Sequence, residues 1–145
     1  MSKENPLYQG DEIKNLIPQR EPILMVDTLF DADETSCETA LTIQEGNMFC
    51  EDEFFTEPGL IEHIAQSASA FAGHTAKKNG KPAPIGFIGE VKKFKLAKLP
   101  HVGDKLHTSI KIISEINKIS LLSAETKVNG ILIDNCQMKI FIKED

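Results

Sequence analysis

The stretch EPGLIEHIAQSASAFAG, residues 57–73, sets a carboxylate and an imidazole side by side, Glu62 and His63, and adds an amide, Gln66, four residues after the carboxylate. Carboxyl and imidazole groups are the side chains that most often give and take protons in catalysis. Their spacing decides which can act together. Thr56 is an N-cap residue type and Pro58 fits a first helical turn, where a missing N–H costs nothing, so a helix is predicted to start here. Residues four apart on a helix share a face; adjacent ones diverge by about 100°. Gln66 is therefore placed to orient the Glu62 carboxylate or to hold a water against it. His63 falls in another stripe, with Ser67, Ala70 and His74, so the helix offers no direct Glu62–His63 dyad.

Each residue also has a plainer reading. An ionisable group near the start of a buried helix must be used or paired, and Glu62 can pair with a Lys or Arg of a facing sheet. His63 can be a buried or interface histidine. His63 and His74 share a face but stand about 16 Å apart by helical rise, too far to chelate one metal. No other His, Asp or Glu grouping has metal-ligand spacing. Cys50, the remaining nucleophile type, has no histidine near it in sequence.

Composition bounds the setting of this chemistry. The chain has 145 residues, 41% hydrophobic and 26% charged, which suits one soluble domain spanning 1–145. Its net charge of −6 argues against a nucleic-acid partner. No run approaches the ~20 apolar residues of a membrane span, and residues 1–17 lack the apolar core of a signal peptide. Cys37, Cys50 and Cys136 are odd in number and without CxxC spacing. That pattern fits a reducing cytoplasm rather than a disulfide framework or zinc site.

The elements that must position the helix are legible in outline. GDEIKNLIP reads as a short amphipathic helix through Ile13, Leu16 and Ile17, stopped by Pro18. ILMVDTLF and TSCETALTIQ read as strands joined by a turn at DADET. After the acidic loop EGNMFCEDEFF, the long helix runs to about Lys78, where KKNGKPAP ends it. Four strands follow: IGFIGEVKKFKLAK, KLHTSIKII (with Leu106, Thr108, Ile110 and Ile112 on one face), ISLLSAETKV and ILIDNCQMKIFIK. The last two are joined by Asn129-Gly130, a dipeptide suited to a hairpin turn. No Lys, Arg, Asp or Glu lies between Glu62 and Lys77, so the helix is expected to be buried on most sides, its small stripe Ile61, Ala65, Ala68 and Ala72 letting a sheet curl close. The fold class is α+β, one helix packed by an antiparallel sheet.

This order of elements resembles the hot-dog fold, and three motifs are similar to those of the 3-hydroxyacyl-[acyl-carrier-protein] dehydratases of fatty-acid synthesis. IPQREPILMVD resembles that family's opening Leu-Pro-His-Arg-x-Pro segment. PGLIEHIAQ resembles its Pro-Gly…Ile-Glu-Ala-x-Ala-Gln helix. GFIGEVKKFKL with GDKL resembles its Phe-x-Gly…Phe…Pro-Gly-Asp-x-Leu strand and loop. One departure stands out: the family's Gly-His-Phe-Pro loop supplies a catalytic histidine, whereas NMFCEDEFFTEPG holds none, and the segment from Pro-Gly to Glu is two residues shorter. In this the chain is similar to the divergent dehydratase-like proteins of aryl-polyene and related polyketide-type pathways.

The resemblance implies a 3-hydroxyacyl-thioester dehydratase with no metal or cofactor. Glu62 would be the acid for the leaving hydroxyl. N–H groups around Gly59 and Leu60 would polarise the thioester carbonyl, Gln66 would orient Glu62, and Gly89 would let the acyl chain approach the strand backbone. The base is open between His63, a loop carboxylate (Glu51, Asp52, Glu53 or Glu57) and a histidine from a partner. Two alternatives stand beside dehydration: thioester hydrolysis by Glu62, and a non-catalytic acyl-binding or partner subunit of an active dehydratase. The substrate would ride on acyl carrier protein, docked by Lys77, Lys78 and Lys81 or by Lys92, Lys93, Lys95 and Lys98. The chain would form a homodimer or a heterodimer with a homologous dehydratase, or a higher oligomer.

Overall fold

The structure, a computed structural model, describes residues 5–143; residues 1–4 and 144–145 of the expected 1–145 domain lie outside the described residues. Seven antiparallel strands form one sheet: β1 (Tyr8–Gln9), β2 (Thr28–Ala32), β3 (Ser36–Thr42), β6 (Ile85–Leu96), β7 (Lys105–Ile116), β8 (Ile119–Val128) and β9 (Ile131–Lys143), in the order β1-β2-β3-β7-β8-β9-β6. A separate two-stranded hairpin pairs β4 (Cys50–Glu51) with β5 (Phe54–Phe55). The helix α1 (Glu57–Lys78) contacts β2, β3, β6 and β7. This single long helix wrapped by an antiparallel sheet is the expected hot-dog arrangement.

Local sequence accounts for most of these boundaries. Asn129 and Gly130 both take positive φ, 51° and 79°, as the two-residue turn between β8 and β9 requires. At the helix end Gly80 adopts φ +71° while the Lys81 N–H reaches back 2.8 Å to the Ala76 carbonyl, closing the last turn. Lys77 and Lys78 lie in that last turn, opposite in sign to the carbonyl end of the helix dipole.

Several expectations are corrected. The short helix Gly10–Asn15 is 3-10 rather than α, although Ile13, Leu16 and Ile17 are buried as the pattern requires. The run ILMVDTLF enters the ladder only at Thr28. Its earlier part cannot pair as a strand because both backbone groups of Met25 are taken by side chains of α1: Gln66 Oε1 accepts the N–H and His63 donates to the carbonyl. Thr56 sits at the N-cap position but does not cap; its hydroxyl donates to the Phe49 carbonyl at 2.7 Å. The acidic loop contains the β4–β5 hairpin, turned at Asp52 and Glu53 with positive φ.

The helix is also less enclosed than expected. Gly59, Leu60, His63, Ile64, Gln66, Ser67, Ala70, Phe71 and Gly73 are buried, whereas Ile61, Glu62, Ala65, Ala68, Ser69 and Ala72 are only half-buried. The buried face joins Ile64, Ala70 and Phe71 to a core with Leu29, Ile110, Leu122 and Met138. Leu60 belongs to a second cluster with Met25, Leu41, Phe55, Leu106 and Ile133. Burial of a side chain such as Leu60 contributes about 1.5–3 kcal/mol. The small stripe, by contrast, faces a cavity.

Candidate active site

That cavity has a volume of about 780 Å³ and runs along α1 past Glu62, Ala65, Gln66, Ala68, Ser69 and Ala72. Its opposite wall comes from β6 (Ile85, Phe87, Ile88), β7 (Ile112), β8 (Leu122) and β9 (Ile140, Ile142). Alanine and serine at these helical positions leave the space open where larger side chains would fill it. A long, mostly apolar trough with one carboxylate on its wall can hold an extended apolar chain beside a proton donor or acceptor.

Glu62 is held, as its spacing with Gln66 suggested. Gln66 Nε2 donates to Glu62 Oε2 at 2.8 Å and to the Ile23 carbonyl at 2.8 Å, while its Oε1 accepts the Met25 N–H. Two backbone groups, the Met25 N–H and the Ile23 carbonyl, fix the orientation of the Gln66 amide and assign its nitrogen to the Glu62 side. A rotation of the amide would present oxygen to both the Ile23 carbonyl and the carboxylate, three acceptors with no proton among them. The carboxylate is oriented by a buried, immobilised donor. Among the described residues no Lys or Arg is paired with Glu62, so it is not the structural ion pair weighed above.

His63 is turned away from this site. It is fully buried; Nδ1 lies 2.7 Å from the Met25 carbonyl and Nε2 2.8 Å from Thr108 Oγ1. A carbonyl only accepts, so Nδ1 carries the proton. Burial pushes its pKa down to about 4, against the opposing pull of the Met25 carbonyl and Asp27. With both nitrogens engaged inside the core, His63 reaches neither Glu62 nor the cavity, and the reading of it as base is corrected. The other histidines do not line the cavity either. His101 lies against Phe54, His107 pairs with Glu38 at 2.7 Å, and His74 meets Tyr8 edge-on.

The remaining candidates are placed by packing. Gly59 is buried, and a Cβ on it would meet Phe49 Cβ and the Phe55 ring at 2.7 Å. The Leu60 N–H donates to the Thr56 carbonyl at 3.1 Å, so it is spent in the helix rather than free for a substrate. Neither residue lines the cavity. A Cβ at Gly89 would collide with the Phe141 ring, so contact within the chain, not an acyl chain, occupies the space above that glycine. The loop acids Glu51, Asp52 and Glu53 lie on the β4–β5 hairpin and Glu57 opens the helix; none lines the cavity.

Sequence reasoning missed a set of buried polar side chains behind His63: Thr108, Thr126 and Asp134. Each interrupts an otherwise apolar inward stripe, as Thr108 does between Leu106 and Ile110, and that interruption was the available signal. Among the described residues there is no cluster of three or more His, Cys, Asp or Glu placed to hold a cation. Cys37 and Cys136 are buried free thiols, the first with its pKa raised by burial and the second pushed up to about 12. Neither is an activated nucleophile.

Comparison with known proteins agrees with this geometry. The model of the ApeP-like family, ApeP dehydratase, matches residues 11–145. The 3-hydroxyacyl-[acyl-carrier-protein] dehydratase FabZ of Shewanella woodyi is 28% identical over 148 residues, spanning 95% of this chain and 94% of its own. The corresponding FabZ of Rhizobium johnstonii is 30% identical over 132 residues, spanning 84% and 81%. Among solved structures, the dehydratase heterocomplex ApeI:P from Xenorhabdus doucetiae superimposes with a TM-score of 0.84 at 12% identity, over 92% of this chain and 91% of that one. A hypothetical thioesterase from Streptococcus pneumoniae TIGR4, solved with coenzyme A, gives 0.64 at 7% identity, over 81% and 85%. At such identities the two structures speak for the fold. The family match, which spans the helix, its Glu62–Gln66 pair and every strand of the sheet but β1, speaks for more: the chain belongs to the ApeP-like family of dehydratases.

Proposed function

We propose that this chain is the Glu62-bearing subunit of a dehydratase acting on 3-hydroxyacyl thioesters of an acyl carrier protein, completed by a histidine from a homologous partner subunit. The observation that carries the reading is Glu62 on the wall of an apolar trough, fixed by a buried Gln66, with no histidine of its own chain beside it. Elimination needs a base for the proton next to the thioester carbonyl and an acid for the departing hydroxyl. Glu62 supplies the acid: its proton goes to the hydroxyl as the C–O bond breaks, and water leaves. The partner's imidazole takes the carbon-bound proton. Gln66 keeps the carboxyl oriented through both steps.

The partner is expected at β6. This edge strand exposes Ile85, Phe87 and Ile88, with Phe141 of β9 beside them, an unusual apolar concentration for a free edge. The relatives named as carrier-protein dehydratases and the similar heterocomplex support this reading. No helix among the described residues is long and apolar enough to cross a membrane, and free thiols favour a cytoplasmic setting. Hydrolysis of the thioester by Glu62 is the second reading, favoured by the solitary carboxylate. Mixing the protein with a histidine-bearing hot-dog dehydratase and following a 3-hydroxyacyl carrier protein by mass separates them. Loss of water only in the mixture supports dehydration by a heterocomplex. Release of free acid by this chain alone supports hydrolysis and sinks the dehydratase reading.

A further inference from the structure

The trough carries an unsatisfied polar group that the account of Glu62 does not use. Gln19, in the segment between the 3-10 helix and β2, lines the same cavity as Glu62 and Gln66. Its side chain is half-buried, and its Oε1 is buried with no hydrogen-bond partner. Such an acceptor has given up its hydration and regained nothing, so it requires an explanation.

The backbone fastens Gln19 to the Glu62 site. The N–H groups of Ile23 and Leu24 both donate to the Arg20 carbonyl at 3.0 Å, closing a turn directly after Gln19. The far side of that turn is tied to α1: the Ile23 carbonyl accepts from Gln66 Nε2, the nitrogen that also holds Glu62. Arg20 Nη1 donates to the carbonyls of Ile17 and Gln19, at 2.8 and 2.9 Å, and pins the near side. One turn of backbone therefore links Gln19 to the Glu62–Gln66 pair.

Chemistry identifies what the amide would take. Oε1 needs a donor; turning the amide over would bury the nitrogen instead and call for an acceptor. A hydroxyl both donates and accepts and so satisfies either orientation, whereas a carbonyl satisfies only one. The terminal torsion of glutamine is soft, which lets the amide swing onto a ligand in the trough at little cost. The substrate class proposed above carries such a hydroxyl, and it is the group that Glu62 must protonate.

We propose that Gln19 binds the 3-hydroxyl of the acyl thioester and holds its oxygen toward Glu62. The hydroxyl donates to Gln19 Oε1, which leaves the oxygen lone pairs free to meet the Glu62 proton. The partner's imidazole takes the proton next to the thioester carbonyl, and the C–H electron pair becomes the double bond. The C–O pair leaves with the oxygen, which takes the Glu62 proton. Water departs carrying its own hydrogen, held by Gln19 until then. This deepens the dehydratase reading and rests on it.

The test titrates 3-hydroxyoctanoyl pantetheine and octanoyl pantetheine, which differ only in the hydroxyl, into this chain alone, where the absence of a base prevents turnover. Wild type should bind the hydroxy compound about tenfold more tightly. Gln19→Met, similar in size and without the amide, should bind the two alike. Ser120→Ala is the control: Ser120 also lines the trough with a buried, unpartnered Oγ. It stands six residues along β8 from Thr126, about 20 Å at the rise of a strand, and Thr126 is the residue level with His63 through Thr108. Ser120→Ala should therefore keep the preference. A preference that survives in Gln19→Met, or that is lost in Ser120→Ala instead, would overturn the proposal. Wild type binding both compounds equally would also overturn it, the amide then holding a water only. If wild type binds neither compound, or cleaves them, the dehydratase reading fails and this proposal with it.

Discussion

The Gln66 amide nitrogen stands 2.8 Å from Oε2 of Glu62, one helical turn away, and that same amide is bound on its other sides by the backbone of Ile23 and Met25. The carboxylate is therefore fixed by the loop before β2 as much as by its own helix. Gln66→Leu should reduce turnover far more than the loss of a surface contact would. It would also leave the Met25 N–H and Ile23 carbonyl unsatisfied, a cost of about 1–3 kcal/mol per buried group. Thermal unfolding and steady-state kinetics on the same preparation measure both effects. Full activity in a destabilised variant would mean that Glu62 needs no orienting partner.

Acid–base linkage gives opposite signs at His63 and Asp134. The folded pKa of Asp134, about 6, lies above its ordinary 3.8, so its stabilising protonated form is fully present below 3.8 and is lost as pH rises through 6. Asp134→Asn should thus gain stability relative to wild type between pH 4 and pH 7, by about 2–3 kcal/mol. Chemical denaturation at several pH values reads this directly. A difference that stays constant with pH would contradict it.

His63 runs the other way. Its folded pKa, about 4, lies below the ordinary 6.5, so its contribution is present above 6.5 and is lost as pH falls through 4. Wild type should lose about 3 kcal/mol relative to His63→Gln on acidification from pH 7 to pH 4. His63→Gln is also expected to be less stable at pH 7, because Met25 and Thr108 lose a well-fitted partner. A titration near 6.5 of the assigned His63 imidazole signal in the folded protein would show that His63 is not buried as described.

Gly89 and Phe141 can be separated from any substrate effect by a double-mutant cycle. Gly89→Ala forces the Phe141 ring out of its place and should cost about 1–3 kcal/mol. In a Phe141→Ala background most of that cost should vanish. Equal costs in both backgrounds would show that the Phe141 ring is not what restricts the space above Gly89.

Carrier-protein docking is expected at the helix end rather than on β6. Lys93 and Lys95, with Lys111, line one cleft together with Asp31, Asp33, Glu38 and Glu125, so their field is offset there. Lys81 borders the mouth of the apolar trough. Lys81→Glu should weaken binding of an acidic carrier more than Lys93→Glu, and more at low salt than at high salt. Isothermal titration at two ionic strengths checks the ranking.

The sequence made the frame legible wherever one local pattern sufficed. The long helix from Thr56 to Lys78, the Asn129-Gly130 hairpin and the four closing strands all follow from periodicity and turn chemistry. The Glu62–Gln66 relationship followed from helical spacing alone. What stayed hidden depended on contacts distant in sequence. Met25 leaves the strand pattern because residues 38 and 41 positions later capture its backbone groups. Thr108 meets Thr126, and Thr126 stands opposite Asp134, only when β7, β8 and β9 are in register. Gly89 looked like room for a ligand because nothing local announces the Phe141 ring. The spacing of His63 excluded a dyad with Glu62, but its commitment to Met25 and Thr108 could be read only from the fold.

The role of Glu62 is tested most directly by following a 3-hydroxyacyl carrier protein by mass with the completed heterocomplex, wild type against Glu62→Gln. Glutamine keeps the hydrogen bonding to Gln66 in reach and removes the proton to be given. Water loss by wild type and a fall of at least about a hundredfold in Glu62→Gln is the expected result. Water loss by Glu62→Gln at the wild-type rate would contradict it and assign the chemistry to the partner alone.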